Sequence, residues 1–269
     1  MTWIESILLG AVQGITEFLP VSSSGHLVLV RTILETPLSY GLAFDAVLHL
    51  ATVLAVIVYF WRDLYILGQT ALRKLGRLPI NHEDQVLLYA LLLGTAPGVV
   101  LGLVLEPYVT AVFHSPTIVA ICLLFSAVFF MYAEYIQFKK PRHTAITVRR
   151  GLIIGLFQVV ALLPGVSRSG ITIGAGMLLG LSRPAAARFS FLLAIPITLG
   201  VGLKKLLELI VSGESVEVAP IAVAFVVAFT TALVVIHVFM QFLRRYTLWP
   251  FIWYIIILAV FILLATWFA

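Results

Sequence analysis

Gln13-Gly14-Ile15-Thr16-Glu17-Phe18-Leu19-Pro20-Val21-Ser22-Ser23-Ser24-Gly25-His26 sets a carboxylate, an imidazole and three adjacent serine hydroxyls inside a segment otherwise apolar enough to lie in a lipid bilayer. Polar groups at that depth are costly, and where they occur they usually do chemistry or line a transport path. The pattern returns further along at one constant offset. Gly10, Gln13, Val21, Ser22, Ser24 and Gly25 recur as Gly155, Gln158, Val166, Ser167, Ser169 and Gly170. The chain therefore reads as one membrane domain over residues 1–269 built by internal duplication, with repeat one at about 1–136, repeat two at about 146–269, and a polar break in each.

Composition agrees. Of 269 residues, 62% are hydrophobic and 11% charged, and the mean hydropathy is +1.12. A soluble core cannot hide that much apolar surface, so an integral membrane protein is expected. The first residues lack a basic n-region and a small-residue cleavage site and carry Glu5, so they are read as mature sequence rather than a signal peptide. Cys122 is the only cysteine, which excludes an intramolecular disulfide. The net charge of +5 comes from Lys and Arg scattered through short loops between apolar runs. That is the positive-inside pattern and speaks against nucleic acid as a partner.

Six stretches are long enough to cross a hydrocarbon layer about 30 Å thick: approximately 43–61, 86–105, 117–136, 187–203, 219–240 and 249–268. The two motif segments differ, because each is interrupted by a turn containing Pro, Gly and Ser, and the arm after each break is too short to span. Each is read as a re-entrant helix-loop-helix whose unwound backbone is shielded by neighbouring helices. The connections 62–85, 137–150, 181–188 and 241–248 carry the basic residues, whereas 106–116 has none and 204–218 sets Lys204 and Lys205 against Glu208, Glu214 and Glu217. Both termini are thereby expected outside and the basic loops in the cytoplasm. Three spans separate the two motifs, so the hairpins enter from opposite sides. The expected fold is an all-α polytopic membrane protein with six transmembrane helices plus two re-entrant segments, arranged as an inverted-topology repeat whose broken helices meet near the midplane.

The two copies have diverged: Glu17, Ser23, His26 and Leu27 align with Leu162, Arg168, Ile171 and Thr172. One half keeps acid-base groups and the other a cation. Gln13 and Glu17 share a helix face, and Ser22, Ser23, Ser24 and Gly25 lead into a helix N-terminus ending the motif at His26, an arrangement suited to an anion. Arg168, between Ser167 and Ser169, offers a guanidinium fork that matches phosphate oxygens. Glu17 would repel a phosphate that Arg168 alone does not neutralise. A divalent cation, Mg²⁺ or Ca²⁺, bridging Glu17 and the phosphate with Gln13 nearby resolves this balance. The other reading has Glu17 orienting His26 in a nucleophile-activating relay.

Structural readings stand beside the chemical ones. Ser22 and Ser24 also suit helix capping, Gln13 and Gln158 could bond the freed backbone of the opposite hairpin, Thr172 could join two helices, and Glu17 with Arg168 could form a purely structural ion pair. Asp45 and His49 stand one turn apart near an outer span end and read first as interfacial residues that pair with each other, with a direct catalytic role as the second reading. Glu106, Glu134 and His237 read as interfacial or packing residues, and the five tryptophans as interface belts.

Gln13 to His26 resembles the (E/Q)xxxE region and following SS(S/T)GH of the bacterial undecaprenyl pyrophosphate phosphatase family, associated with bacitracin resistance. Pro164-Gly165-Val166-Ser167-Arg168-Ser169-Gly170-Ile171-Thr172 resembles that family's PGxSRSxxT motif, and 44–50 is similar too. The resemblance covers essentially the whole chain. It implies conversion of undecaprenyl diphosphate to the monophosphate at the outer side of the bacterial cytoplasmic membrane, which recycles the lipid carrier for peptidoglycan synthesis. Carried over, the active-site positions are Glu17, Ser23, His26, Ser167, Arg168, Ser169 and Thr172, with Ser22, Ser24 and Gly25 at the phosphate. Position 13 is Gln, so a metal site with carboxylates at both 13 and 17 is excluded. The attacking group stays open between His26, Ser23 and water. The rival function is an inverted-repeat transporter or flippase of an anionic lipid. The expected partners are the polyprenyl diphosphate and the bilayer, with room for a homodimer.

Overall fold

A computed structural model describes residues 2–34, 41–112, 116–139, 143–212 and 218–268. Eleven α-helices account for nearly all of them: α1 (Trp3–Thr16), α2 (Ser23–Leu34), α3 (Gly41–Tyr59), α4 (Trp61–Leu75), α5 (His82–Val112), α6 (Pro116–Lys139), α7 (Val148–Gln158), α8 (Arg168–Leu178), α9 (Arg183–Ser212), α10 (Val218–Arg245) and α11 (Trp249–Phe268), with a 3₁₀ turn at Val159–Leu162 after α7. Among the described residues no strand forms. Five helices are long and apolar enough to cross a membrane, and α3 with α4 makes a sixth candidate if that bent pair counts as one span. The chain is an all-helical, multi-pass membrane protein. Lys140, Arg142, Glu214, Glu217 and the side chain of Glu106 lie outside the described set.

The helices extend past the apolar cores read from sequence, so that Arg183 and Arg188 sit in the first turns of α9 and Arg244 and Arg245 in the last turn of α10. The stretch 62–85 is also more than a loop. Its first half is α4, set at 79° to α3, with Leu67 and Thr70 turned inward and Trp61, Tyr65, Leu72 and Leu75 exposed. That division suits a helix lying in the membrane interface.

The two broken segments occupy matched settings. α1 packs along α10 and α7 along α5, and the paired glycines of the duplication sit at both contacts. A Cβ on Gly10 would stand 2.6 Å from the carbonyl oxygen of Ala224, and one on Gly155 2.1 Å from that of Gly94. Small residues let helix backbones approach where lipid provides no hydrophobic drive for association. α8 is enclosed, with every residue from Ser169 to Met177 buried, as a short arm inside the membrane must be. Phe18, beside the first break, is 2% exposed and meets Phe191 of α9 edge to face at 5.2 Å.

The end carrying the basic residues is tied by ion pairs that the loop reading did not foresee. Arg183 is buried and forks onto the fully buried Glu134 of α6, its Nε at 2.9 Å. The same carboxylate accepts the backbone N–H of Leu248 at the head of α11, at 2.6 Å. Arg188 bonds Asp63 of α4 at 2.9 Å through Nε. Glu134 thus joins the end of α6 to the starts of α9 and α11.

Two stability tests follow from this packing. Gly155→Ala should lower the thermal midpoint in detergent by the equivalent of about 1–3 kcal/mol, whereas Gly68→Ala, with open space around its Cβ, should be neutral or stabilising by up to about 1 kcal/mol. Glu134→Leu should cost about 3–5 kcal/mol by stranding the Arg183 charge. The Glu134→Leu/Arg183→Leu double variant should recover much of that loss in the same melting assay.

Candidate active site at the two helix breaks

The chain between α1 and α2 turns at Pro20, and Val21 donates to the carbonyl of Leu19 at 2.8 Å. Ser22 then adopts φ 69°, a left-handed conformation unusual for a residue with a Cβ. Its carbonyl accepts the backbone N–H of His26 at 3.3 Å and the ring Nδ1 of His26 at 2.8 Å. The tight turn aims Ser23 back at α1, and its hydroxyl donates to Glu17 Oε2 at 2.7 Å. In the second break Gly165 has φ 92°, and a Cβ there would stand 2.6 Å from the carbonyl oxygen of Val119, so glycine is required on both counts. Ser167 caps α8 by accepting the N–H of Gly170 at 3.1 Å.

The breaks interlock. The hydroxyls of Ser167 and Ser169 reach the carbonyl of Leu19 at 3.4 and 3.1 Å, and Arg168 Nη2 bonds Glu17 Oε1. These serines, not the glutamines, satisfy the freed backbone of the opposite break. Gln13 instead donates to Glu17 Oε2 at 3.0 Å, and its Oε1 is buried without a partner. Both polar side-chain atoms of Gln158 are likewise buried and unpartnered.

Beside this junction lies a cavity of about 180 Å³ lined by Glu17, Ser23, His49, Ser167 and Arg168, with Ala161 and Val166 below and Ile197, Thr198 and Val201 of α9 along one wall. The Glu17 side chain is 5% exposed and that of Arg168 19%. Arg168 Nη1 is buried with no hydrogen-bond partner, a state that costs free energy until an acceptor arrives. The site therefore combines a hydroxyl bonded to a carboxylate with a guanidinium that has an N–H to spare.

Not every expected residue reaches the cavity. His26 is turned to α11, where Nε2 meets the Tyr254 hydroxyl at 2.6 Å and the rings stack at 5.6 Å. Its contribution is to hold the Ser22 carbonyl. Ser22 is buried and its hydroxyl stands 3.4 Å from that of Ser24, while Ser24 is exposed and Gly25 buried within the first turn of α2. Thr172 bonds the hydroxyl of Ser190 on α9 at 2.6 Å and the carbonyl of Arg168 at 2.8 Å, which is an interhelical link.

The expected pair of Asp45 with His49 does not form. Asp45 takes Arg31 of α2 in a fork, at 3.0 and 2.5 Å. His49, released, lines the cavity with Nδ1 at 3.1 Å from Gln13 Nε2 and 3.7 Å from Glu17 Oε2. The spacing of 45 and 49 suggested the wrong partner, since nothing local announces that Arg31 folds back.

The donors for a cation that line the cavity are oxygens, the Glu17 carboxylate and the Ser23 hydroxyl. Hard divalent ions favour such ligands. Among the described residues no group of three or more His, Cys, Asp and Glu could hold a metal ion.

Comparison with known proteins meets this geometry. The chain is 41% identical over 266 residues to the undecaprenyl-diphosphatase of Micrococcus luteus, covering 96% of this chain and 95% of that one. It is 39% identical over 256 residues to the undecaprenyl-diphosphatase of Geotalea daltonii, at 94% of each, and 41% identical over 271 residues to that of Paenarthrobacter aurescens, at 98% of each. The family model described as bacitracin resistance protein BacA matches residues 6–261, and with both helix breaks inside that match the chain belongs to the BacA family.

Proposed function

We propose that this protein is a membrane phosphatase that hydrolyses undecaprenyl diphosphate to undecaprenyl phosphate and inorganic phosphate, returning the lipid carrier to cell-wall synthesis. The observation that carries the mechanism is the contact of Glu17 with Arg168 across the two breaks, beside an enclosed Arg168 Nη1 that has no partner. One arm of the guanidinium holds the base and the other is left for a phosphate oxygen.

Ser23 is the best-placed nucleophile. As its Oγ bonds to the terminal phosphorus, its proton passes to Glu17 Oε2, already its hydrogen-bond acceptor, and the bond from phosphorus to the bridging oxygen breaks to release the lipid monophosphate. Water then attacks the phosphoserine, and inorganic phosphate leaves as the proton held on Glu17 returns to Ser23 Oγ. Arg168 offsets charge on the transferred phosphoryl group in both steps. Glu17, with Gln13 adjoining, would hold a divalent cation, which supplies further charge neutralisation at the diphosphate.

The arrangement in the membrane follows from the same packing. Matched contacts of α1 with α10 and α7 with α5 support an inverted repeat with two re-entrant segments. Arg183, Arg188, Asp63 and Glu134 gather one end of the bundle, which the positive-inside rule assigns to the cytoplasm. Thr198 of the cavity wall lies fifteen residues along α9 from Arg183, about 22 Å at helical rise. That distance supports a cavity in the outer half of the inner membrane, within reach of a diphosphate headgroup on the outer face.

Purified protein in detergent should release phosphate from undecaprenyl diphosphate, and both Arg168→Ala and Ser23→Ala should lower kcat by about 10²–10³-fold, Ser23→Ala with little change in melting temperature and Arg168→Ala with a lowered one, since it leaves Glu17 buried without its partner. Full turnover by Arg168→Ala would remove the clamp. A chelator should abolish release, and added Mg²⁺ or Ca²⁺ should restore it. A flippase would instead move lipid across sealed vesicles with no phosphate set free.

A further inference from the structure

The amide of Gln13 settles the state of a residue to which no role has yet been given. Glu17 is ionised against Arg168, so a carbonyl oxygen of Gln13 could not lie 3.0 Å from Glu17 Oε2, and the atom there is Nε2. That nitrogen has two hydrogens. One goes to Glu17 and the other to His49 Nδ1 at 3.1 Å. His49 Nδ1 is therefore an acceptor, and in the neutral imidazole the proton sits on Nε2. The His49 side chain is 28% exposed, within the cavity it lines, and Nε2 has no hydrogen-bond partner among the described residues. The arrangement leaves Gln13 Oε1 buried and unbonded, a cost that needs a reason.

We propose that His49 is a further substrate-contacting residue: Gln13 fixes its tautomer so that Nε2–H donates to a non-bridging oxygen of the diphosphate, opposite Arg168. This rests on the assignment of the cavity as the phosphatase site. It adds a further donor to the phosphate oxygens without adding charge beside Glu17. His49 also closes a chain from substrate through imidazole and amide to the carboxylate that receives the Ser23 proton, so binding and proton transfer share one set of hydrogen bonds.

The test uses full-length protein labelled with ¹⁵N-histidine in nanodiscs, with methylenediphosphonate as a non-hydrolysable probe. His49 should show a protonated Nε2 and a bare Nδ1, and the Nε2 signal should shift on addition of the probe. Gln13→Leu should replace the single tautomer with a mixture. In kinetics, His49→Leu should lower kcat/KM by about 10- to 100-fold, the loss of one hydrogen bond to a charged oxygen. His49→Gln, which keeps a side-chain N–H donor, should recover most of it. A His49 signal indifferent to the probe, or His49→Leu with undiminished kcat/KM, overturns the proposal while Arg168→Ala remains inactive. If Arg168→Ala is also fully active, the cavity assignment itself fails, and the role of His49 with it.

Discussion

Glu17 and Arg168 meet across two interrupted helices, and the rest of the site is arranged around that contact. A carboxylate and a guanidinium almost withdrawn from solvent are each expensive in an apolar medium. Their mutual neutralisation is what allows α1 to carry an acid to this depth and α8 to begin with a base. The exposed backbone of one turn is met by hydroxyls from the other, since Leu19 receives both Ser167 and Ser169. Unpaired carbonyls could not persist there. Charge pairing and backbone satisfaction thus bind the same two turns, and the reactive groups are positioned by the requirements of stability in lipid.

Around this centre the helices approach through small residues. Gly10 on Ala224 and Gly155 on Gly94 bring main chains into contact, and Gly170 and Gly174 of α8 lie against the rings of Phe130 and Phe129 so closely that a Cβ would overlap them. Bulk is supplied by α6 and α9, absence of bulk by the broken segments. The interior is therefore rigid where the turns are anchored, which suits a site whose donors must stand at fixed distances before substrate arrives.

What could be read from the chain alone follows from the cost of polarity. Glu17 and Arg168 stood out because an ionisable group in an apolar run demands a partner, and the duplication set them at corresponding breaks. The helical character was legible for the same reason, as long apolar runs have few alternatives in a bilayer. His49 was hidden by local spacing, because Asp45 one turn away looked like its partner and only the fold brings Arg31 to Asp45. His26 read as an active-site group, but its ring direction depends on Tyr254, more than two hundred residues distant. Arg183 resembled an ordinary loop charge until Glu134 met it. The amphipathic α4 was masked by Arg62, Arg73 and Lys74, whose charges lower the average hydropathy of a segment with a clear apolar side.

The duplicated motif also has a bearing on symmetry. Two identical chains related by a dyad would repeat every contact, and because Glu17 meets Arg168, the counterpart of Ser23, they would form two equal acid–guanidinium contacts and two equal centres. Covalent fusion of the halves lifts that restriction, because position 17 can be Glu while its counterpart is Leu162, and position 168 can be Arg while its counterpart is Ser23. A single asymmetric junction per polypeptide, with one carboxylate and one guanidinium, is the stoichiometric outcome of joining two near-equivalent halves end to end.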